Sequence, residues 1–578
     1  MSQPRSPLHP KGLYVLFFTE MWERFGFYLM IGIFALYMKD AWENGGMGFI
    51  DAKKSDVYGT YIGLVYLTPF IGGLLADRIL GYRKAIFIGG ALMAIGYFGL
   101  SIHNETAFYI SLLFIILGNG FFKPNISTMV GNLYNDEKYK ANKDSGYNIF
   151  YMGINIGAFV CNFVAAYLRI EYGWSWAFAA AGFGMIICLI IFYAGTKHIK
   201  SADVLKPSQP GDMSVGKIFA VVLLPMILFG VIGYFLKGVT GPGNEEGNIF
   251  GTDTNDAFLF GCIPVITFFV MLMLRANKED KRPIAALLSV YACLVIFWAV
   301  FHQNGDALTT WAEKYSNRKV PTALEGTATT LKLAQTFTYD KTIDLPEAQF
   351  KLYTDSLRAE RQKFTDSGNK DAEKEMNDLI SNREKTREYF QTLPAEKRPP
   401  KGGDYLAYSA NIYQSVNPFW VILLTPVVVG IFGFLKRRGK EPTTPTKIAI
   451  GLLITGLSAW VMVAAVNATD LESDKASIYW LYGTYCVITF GELCLSPMGL
   501  SLVSKLAPQR LTALMMGGFF LSTSVGNKLA GILSSNFEKI DNKADFFMTN
   551  VLLAVAAATM MFILLRFLNR VMKEKNVD

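Results

Sequence analysis

The sequence is short of charge. Asp, Glu, Lys and Arg make up 18% of its 578 residues, against 52% hydrophobic residues, and histidine occurs four times. Soluble domains carry about 25% charged residues, so this balance excludes an ordinary soluble globular protein. Cysteine is scarce too. Cys161, Cys188, Cys262, Cys293, Cys486 and Cys494 all fall inside apolar runs, and none has metal-ligand spacing, which leaves packed thiols. There is also no nucleophile–base pair and no phosphate-binding loop, so the sequence points neither to an enzyme nor to a bound cofactor. No cleavable leader is legible: the first apolar run, 12–38, is too long for a signal peptide and no small-residue cleavage site follows it. The net charge of +8 implies no nucleic-acid partner, because in a membrane protein the placement of Lys and Arg matters more than their sum.

What is present is a series of apolar runs, each about 18 residues or longer, the length that crosses a bilayer as a helix. Fourteen are read, near 13–38, 57–77, 84–103, 107–131, 146–168, 173–195, 216–236, 257–275, 283–303, 413–435, 446–466, 478–504, 509–534 and 545–570. The fold class is therefore an all-α polytopic membrane protein. Basic residues follow every even-numbered run: Arg83 and Lys84, Lys138 and Lys140, Lys197 and Lys206, Lys278 and Lys281, Lys436 and Arg437, Lys505 and Arg510, then Lys573 and Lys575. The positive-inside rule places these loops and both termini in the cytoplasm. One missed span would break the alternation, so it also supports the count.

Residues 304–412 differ from the rest. They are polar, and stretches such as LPEAQFKLYTDSLRAERQKF and KDAEKEMNDLISNREKTREYF read as soluble helices with charge pairs four apart. Topology turns this insert outward, and it holds no catalytic constellation. A helical cap or an interaction hairpin is the expected structure.

The few charges inside the apolar runs carry the functional reading, because a Lys, Arg or Asp at mid-membrane costs about 2.5–3.5 kcal/mol on insertion scales. Those taken to carry it are Glu20, Glu23, Arg24, Lys123 and Glu492, with His302 at a run's end. Glu20 and Arg24 are four apart and share a helix face; Glu20 and Glu23 are three apart. One arginine cannot neutralise two carboxylates. A second cation or a proton must, and Lys123 in GNGFFKPNIS is the natural cation. A proton on one glutamate would release Lys123, and its loss would recapture the lysine: a proton-linked switch. A static polar staple is the alternative. Glu492, in FGELCLSPMGL, has no sequence-local cation and would suit a substrate ammonium group, or else stand as a neutral hydrogen-bonded acid.

Taken together the motifs resemble the proton-dependent oligopeptide transporter (POT/PTR) family of the major facilitator superfamily. They are E-x-x-E-R-F-x-x-Y (Glu20, Glu23, Arg24, Phe25, Tyr28), YLTPFIGGLLADRILGYRKAI, GNGFFKPNIS, FYMGINIGAF, NPFW, GELCLSPMGLSLVSKLAP and GNKLAG, in that order along the chain. The resemblance covers all fourteen runs but not 304–412. It implies two six-helix bundles, 1–196 and 283–303 with 413–578, around a cavity that opens alternately to each side. Residues 197–282 would be the two extra transmembrane helices of bacterial members. It implies proton-coupled symport of di- and tripeptides, with protons as the coupling ion, by a monomer in a bacterial inner (plasma) membrane, and the insert on the periplasmic or extracellular side. By motif position Tyr28, Tyr66, Lys123, Asn155, Trp298, Asn417 and Glu492 would bind substrate, with Glu492 and Asn155 at its amino terminus. Glu20, Glu23, Arg24, Lys123 and His302 would couple the proton.

The chain departs from the pattern in three places. Ile31 stands where the family often has an arginine for the peptide carboxylate. His302 stands where bacterial members often have an acid, so a usual ion pair across the outer gate is lost from both sides. Phe27 and Phe519 replace a tyrosine and a tryptophan. Two rival functions remain at this level: uptake of another small solute, since this fold serves many substrates, and a receptor that uses the insert as its ligand domain. A receptor needs no buried proton relay.

Overall fold

The computed structural model describes the chain apart from residues 1–8, 41, 43–44, 50, 205–213, 239, 241–246, 306, 331–332, 368, 409–412, 414, 535–536, 538–539 and 577–578. Lys206, the last four residues of the insert and the chain ends therefore lie outside the described residues. A helix stands at each of the fourteen expected positions. They are α1 (Lys11–Lys39), α2 (Asp51–Leu75), α3 (Tyr82–Leu100), α4 (Glu105–Leu133), α5 (Lys143–Tyr172), α6 (Trp174–Ala194), α7 (Leu224–Phe235), α8 (Asp253–Arg275), α9 (Lys278–Phe301), α10 (Val416–Arg437), α11 (Thr444–Asn467), α12 (Ile478–Leu506), α13 (Thr512–Ser534) and α14 (Lys543–Glu574). Ten of them are long and apolar enough to cross a membrane by length and composition. The other four are α1, which carries Glu20, Glu23 and Arg24; α2 and α7, whose apolar stretches are Thr60–Gly73 and Phe219–Phe235; and α13. Where one unbroken run was expected at 216–236, Val215–Ile218 and a π-helical turn, Phe219–Leu223, precede α7. The protein is a multi-pass membrane protein.

Within the first half, α1 packs on α5 and α6, α2 on α4, and α3 on α4 and α6. In the second half, α9 packs on α13 and α14, α10 on α12, and α11 on α12 and α14. The halves meet where α2 lies against α13 and where α5 lies against α10 and α12. Helices α7 and α8 pack chiefly on each other. Alternation of direction gives the molecule a basic end, with the loops listed above, and an opposite insert end. The turn from α2 to α3 at the basic end uses Gly81 at φ 76°, a left-handed conformation that favours glycine.

The insert contains the two soluble helices, Glu347–Asp366 and Lys370–Gln391, joined by Arg358 to Glu384 and Arg387 to Glu347. It is not purely helical, as the sequence reading expected. Strands β1 (Ala334–Tyr339) and β2 (Gly403–Tyr408) pair antiparallel, Ala334 opposite Tyr408. Phe337, Tyr389, Phe390 and Tyr405 form a small separate core under them. The segment is fastened to the second half. Ser316–Asn317 pairs in parallel with Ala476–Ser477 at the start of α12, Lys397 meets Asp474 at 2.5 Å, and Trp311 packs on Phe547 of α14. Lys475 donates to the carbonyl of Lys314 at 2.5 Å and lies over the Tyr389 ring. Burial, with Arg318 close by, lowers the Lys475 pKa to about 8.

Candidate functional site

A cavity of about 510 Å³ lies between the halves, within the size range of small-molecule sites. It runs from Ser127 and Leu500 in the interior to Ser534, the last residue of α13, so it reaches the insert end. All of the expected site residues line it except Glu23, which lies behind Arg24. They come from α1, α2, α4 and α5 on one side and α9, α10 and α12 on the other.

The α1 cluster is asymmetric. Arg24 donates to both oxygens of Glu23 in a two-pronged pair, and its Nη2 reaches Asn119 Oδ1 at 3.2 Å. Asn119 in turn donates to the Val65 carbonyl at 2.8 Å. The guanidinium also lies 4.7 Å from the centre of the Phe27 ring. Glu20 receives less: its Oε1 is 3.4 Å from Arg24 Nε, and its buried Oε2 has no hydrogen-bond partner. Lys123 is not paired with either glutamate among the described residues. Its ammonium faces the cavity over the rings of Tyr66, at 4.2 Å, and Phe520, at 4.8 Å.

Across the cavity Glu492 is held from two sides. Tyr151 of α5 donates to Oε1 at 2.5 Å, and Asn417 of α10 donates to Oε2 at 2.8 Å and also contacts Thr489. The carboxylate therefore joins helices of both halves, which no local sequence pattern reveals. Asn155 sits one turn beyond Tyr151 and donates to its carbonyl at 3.0 Å. Trp298 and His302 stack at 5.1 Å with nearly parallel rings. Neither Trp298 Nε1 nor His302 Nε2 has a partner. Ile31 lines the same cavity. The arrangement offers one anchored carboxylate, one ammonium on aromatic faces, and a glutamate whose charge is only partly compensated.

The sequence pattern of the POT family (PTR2) matches residues 83–331 and 405–552, more than half of the chain. The chain belongs to the POT family. The unmatched residues between those segments are the middle of the insert, and α1 with its E-x-x-E-R motif precedes the first match. Among relatives of this POT-family chain, the uncharacterized transporter YclF of Bacillus subtilis (strain 168) is 29% identical, covering 98% of this chain and 95% of the relative. A di-/tripeptide transporter of Lactococcus lactis subsp. lactis (strain IL1403) is 28% identical over 94% of this chain and 93% of its own. Among solved structures, a peptide transporter POT in complex with sulfate is 26% identical, with a TM-score of 0.62, covering 99% of this chain and 98% of that one.

At the basic end of this POT-family chain the two halves are held together by polar contacts that form a closure between them. Asp144 at the start of α5 is the centre of that closure. Its Oδ1 accepts from Lys505 of α12 at 2.8 Å and from Ser501 at 2.5 Å; its Oδ2 accepts from Lys447 of α11 at 3.0 Å and Thr444 at 3.1 Å. Beside it Gly131 of α4 comes so near α12 that an added Cβ would lie 1.9 Å from Ser504 Oγ, which only glycine permits. Asp77, after α2, accepts from the backbone N–H of Leu514 at 2.9 Å and so caps the N-terminus of α13 from the opposite half. Sequence reading missed Asn119, Tyr151, Asp144, Lys447 and Lys505. An acid amid the basic residues 138–143 was the available signal for Asp144; Tyr151 gave none.

Proposed function

We propose that this protein is a proton-coupled symporter that takes up di- and tripeptides by alternating access across a bacterial inner membrane. The basic end and both termini face the cytoplasm, and the insert 304–412 faces outward. The observation that carries the reading is the split between an anchored carboxylate, Glu492, and an unpaired ammonium, Lys123, in one cavity. These complement the two ends of a zwitterionic peptide. Glu492, held by Tyr151 and Asn417, takes the substrate amino terminus, with Tyr28, Asn155 and Asn417 around it. Lys123 takes the carboxylate, for which Ile31 supplies no cation.

Glu20 carries the coupling proton. Arg24 is committed to Glu23 and Asn119, so Glu20 is the group whose charge in a buried site lacks a full partner. With a proton on Glu20, Lys123 stands free for substrate, as it does over Tyr66 and Phe520. Loss of the proton to the cytoplasm gives Lys123 a carboxylate to return to, and the peptide is released. His302 has no acidic partner among the described residues and stacks on Trp298 instead. We assign it to the binding wall rather than to coupling. Proteoliposomes test the proposal. An inward proton gradient drives accumulation of labelled dipeptide, a protonophore abolishes it, and Glu20→Gln loses accumulation while retaining peptide exchange. Full gradient-driven accumulation by Glu20→Gln would sink the coupling assignment.

A further inference from the structure

The cavity has a wall that neither the coupling cluster nor the two peptide-end contacts use. It is formed by α13 and α9. Thr523, Asn527, Gly531 and Ser534 follow one another at four- and three-residue spacing and share one face of α13. That face lines the cavity, together with Trp298 on α9 and His302 in the turn that ends it. Thr523, Ser534 and Trp298 are at least 94% buried. Thr523 Oγ1, Ser534 Oγ, Trp298 Nε1 and His302 Nε2 all lack a hydrogen-bond partner. Buried polar atoms in native proteins are nearly always paired, so four orphans lining one cavity ask for a partner from what enters it. There is room for one: a Cβ built on Gly531 meets nothing within 4 Å. Every acid, lysine or arginine that lines the cavity lies elsewhere, on α1 (Glu20, Arg24), α4 (Lys123) or α12 (Glu492).

We infer that this α9–α13 wall is a side-chain subsite that selects a neutral hydrogen-bonding group, a carboxamide or hydroxyl, over an apolar or a charged one. The inference rests on the peptide reading above and names the substrate class within it. The wall presents an indole N–H that only donates, an imidazole, and hydroxyls that donate or accept. A carboxamide offers both complements. An apolar side chain of the same size leaves the four atoms unpaired, which discriminates far more strongly than a missing methylene does. An ammonium meets no acid on this wall, and the nearest cation to a side-chain carboxylate is Lys123 over Phe520, which the peptide's own carboxylate already engages.

Three nearly isosteric side chains decide it: glutamine, glutamate and methionine. Half-maximal inhibition of labelled Ala-Ala uptake is measured for Ala-Gln, Ala-Glu and Ala-Met, and for the same pairs in reverse order. The expected result is that, in at least one order, the glutamine peptide inhibits at a concentration about tenfold or more below both others. The double variant Asn527→Ala, Ser534→Ala, which removes two polar groups of the wall, brings the Met-to-Gln ratio down toward one. The ratio is unaffected by any general loss of binding. Equal inhibition by the three peptides, a methionine or glutamate preference, or an unchanged ratio in the double variant overturns the subsite. Absence of Ala-Ala uptake by the unmodified protein would instead overturn the peptide reading itself.

Discussion

Replacing Asp144 by asparagine tests whether the basic end is held shut by one carboxylate. All four of its side-chain partners, Lys447, Lys505, Ser501 and Thr444, belong to the half of the molecule opposite its own. The loss therefore falls on the contact between halves and not on either bundle. Breaking one side of a buried ion pair costs about 3–5 kcal/mol. A smaller cost applies here, because Asp144 and Lys505 keep 16% and 13% of their side-chain surface exposed and Lys447 retains Glu441 at 2.7 Å. A cost of about 2–3 kcal/mol shifts the ratio of closed to open basic ends about 30- to 150-fold, since about 1.4 kcal/mol is a factor of ten. Spin labels at Lys138 and Gln509, exposed positions on either side of the closure, report the change as a distance distribution in lipid nanodiscs. The unmodified protein gives a short distance, and Asp144→Asn moves most of the population to a longer one. Asp280→Asn is the control: its partner Arg510, at 2.9 Å, lies in the same half, so its loss leaves the distribution unchanged. The reasoning is refuted if Asp144→Asn leaves the distance as it was, or if the control moves it equally.

Three further outcomes follow from the same geometry. His302→Gln keeps the pH profile of uptake between about pH 5.5 and 7.5, the range around an ordinary histidine pKa of about 6.5; a flattened profile would return His302 to the coupling set. Replacing residues 323–401 with a short Gly/Ser linker leaves dipeptide binding intact, because none of the described insert residues lines the central cavity. It lowers the melting temperature, because Tyr389 no longer covers Arg318 and Lys475; normal insertion with no peptide binding would place the insert in the site. Lys475 binds its proton less tightly folded, at about 8, than unfolded, at about 10.4. The unfolded state thus holds more protons between these values, and Lys475 makes stability rise with pH across that window. Lys475→Met removes this contribution, read as the difference in unfolding midpoint between variant and unmodified protein at pH 7, 8.5 and 10; a constant difference would contradict the assignment.

The long helices were legible because each is a single hydrophobic run, and the loop charges fixed their number independently. The insert's helices were legible from charge spacing. Its strands were not: β1 is six residues long and gains its partner only at 403–408, after the whole helical hairpin. The charged residues of the cavity stood out because charge is costly in an apolar run, and the uncompensated glutamate follows from counting. Which glutamate is left over does not follow from counting. Helix spacing favours Glu20, four residues from Arg24, over the adjacent Glu23, yet the arginine pairs with Glu23, and only Asn119, 95 residues on from Arg24, shows where it is directed. Tyr151 was invisible, and the role of Asp144 was signalled only by an acid beside basic residues, for a similar reason. Their partners lie 300 or more positions away and meet them only when the two halves dock.

Among the described residues, the insert's helical hairpin is fastened at one end. Tyr389, near the last turn of its second long helix, takes the backbone N–H of Arg318, beside the strand pair that ties 316–317 to α12. The far end of the first long helix, Asp366, stands a full helix length away, about 30 Å for 20 residues. Bolted to the second half in this way, the hairpin is a pointer on a dial. A turn of that half by about 15°, the size of rotation seen between subunits in switching proteins, sweeps the tip through about 8 Å. A movement of a few ångströms hidden at mid-membrane is thus magnified at the tip of the insert. A rigid probe clamped there from outside would read the gearing of the carrier, or jam it, without entering the cavity.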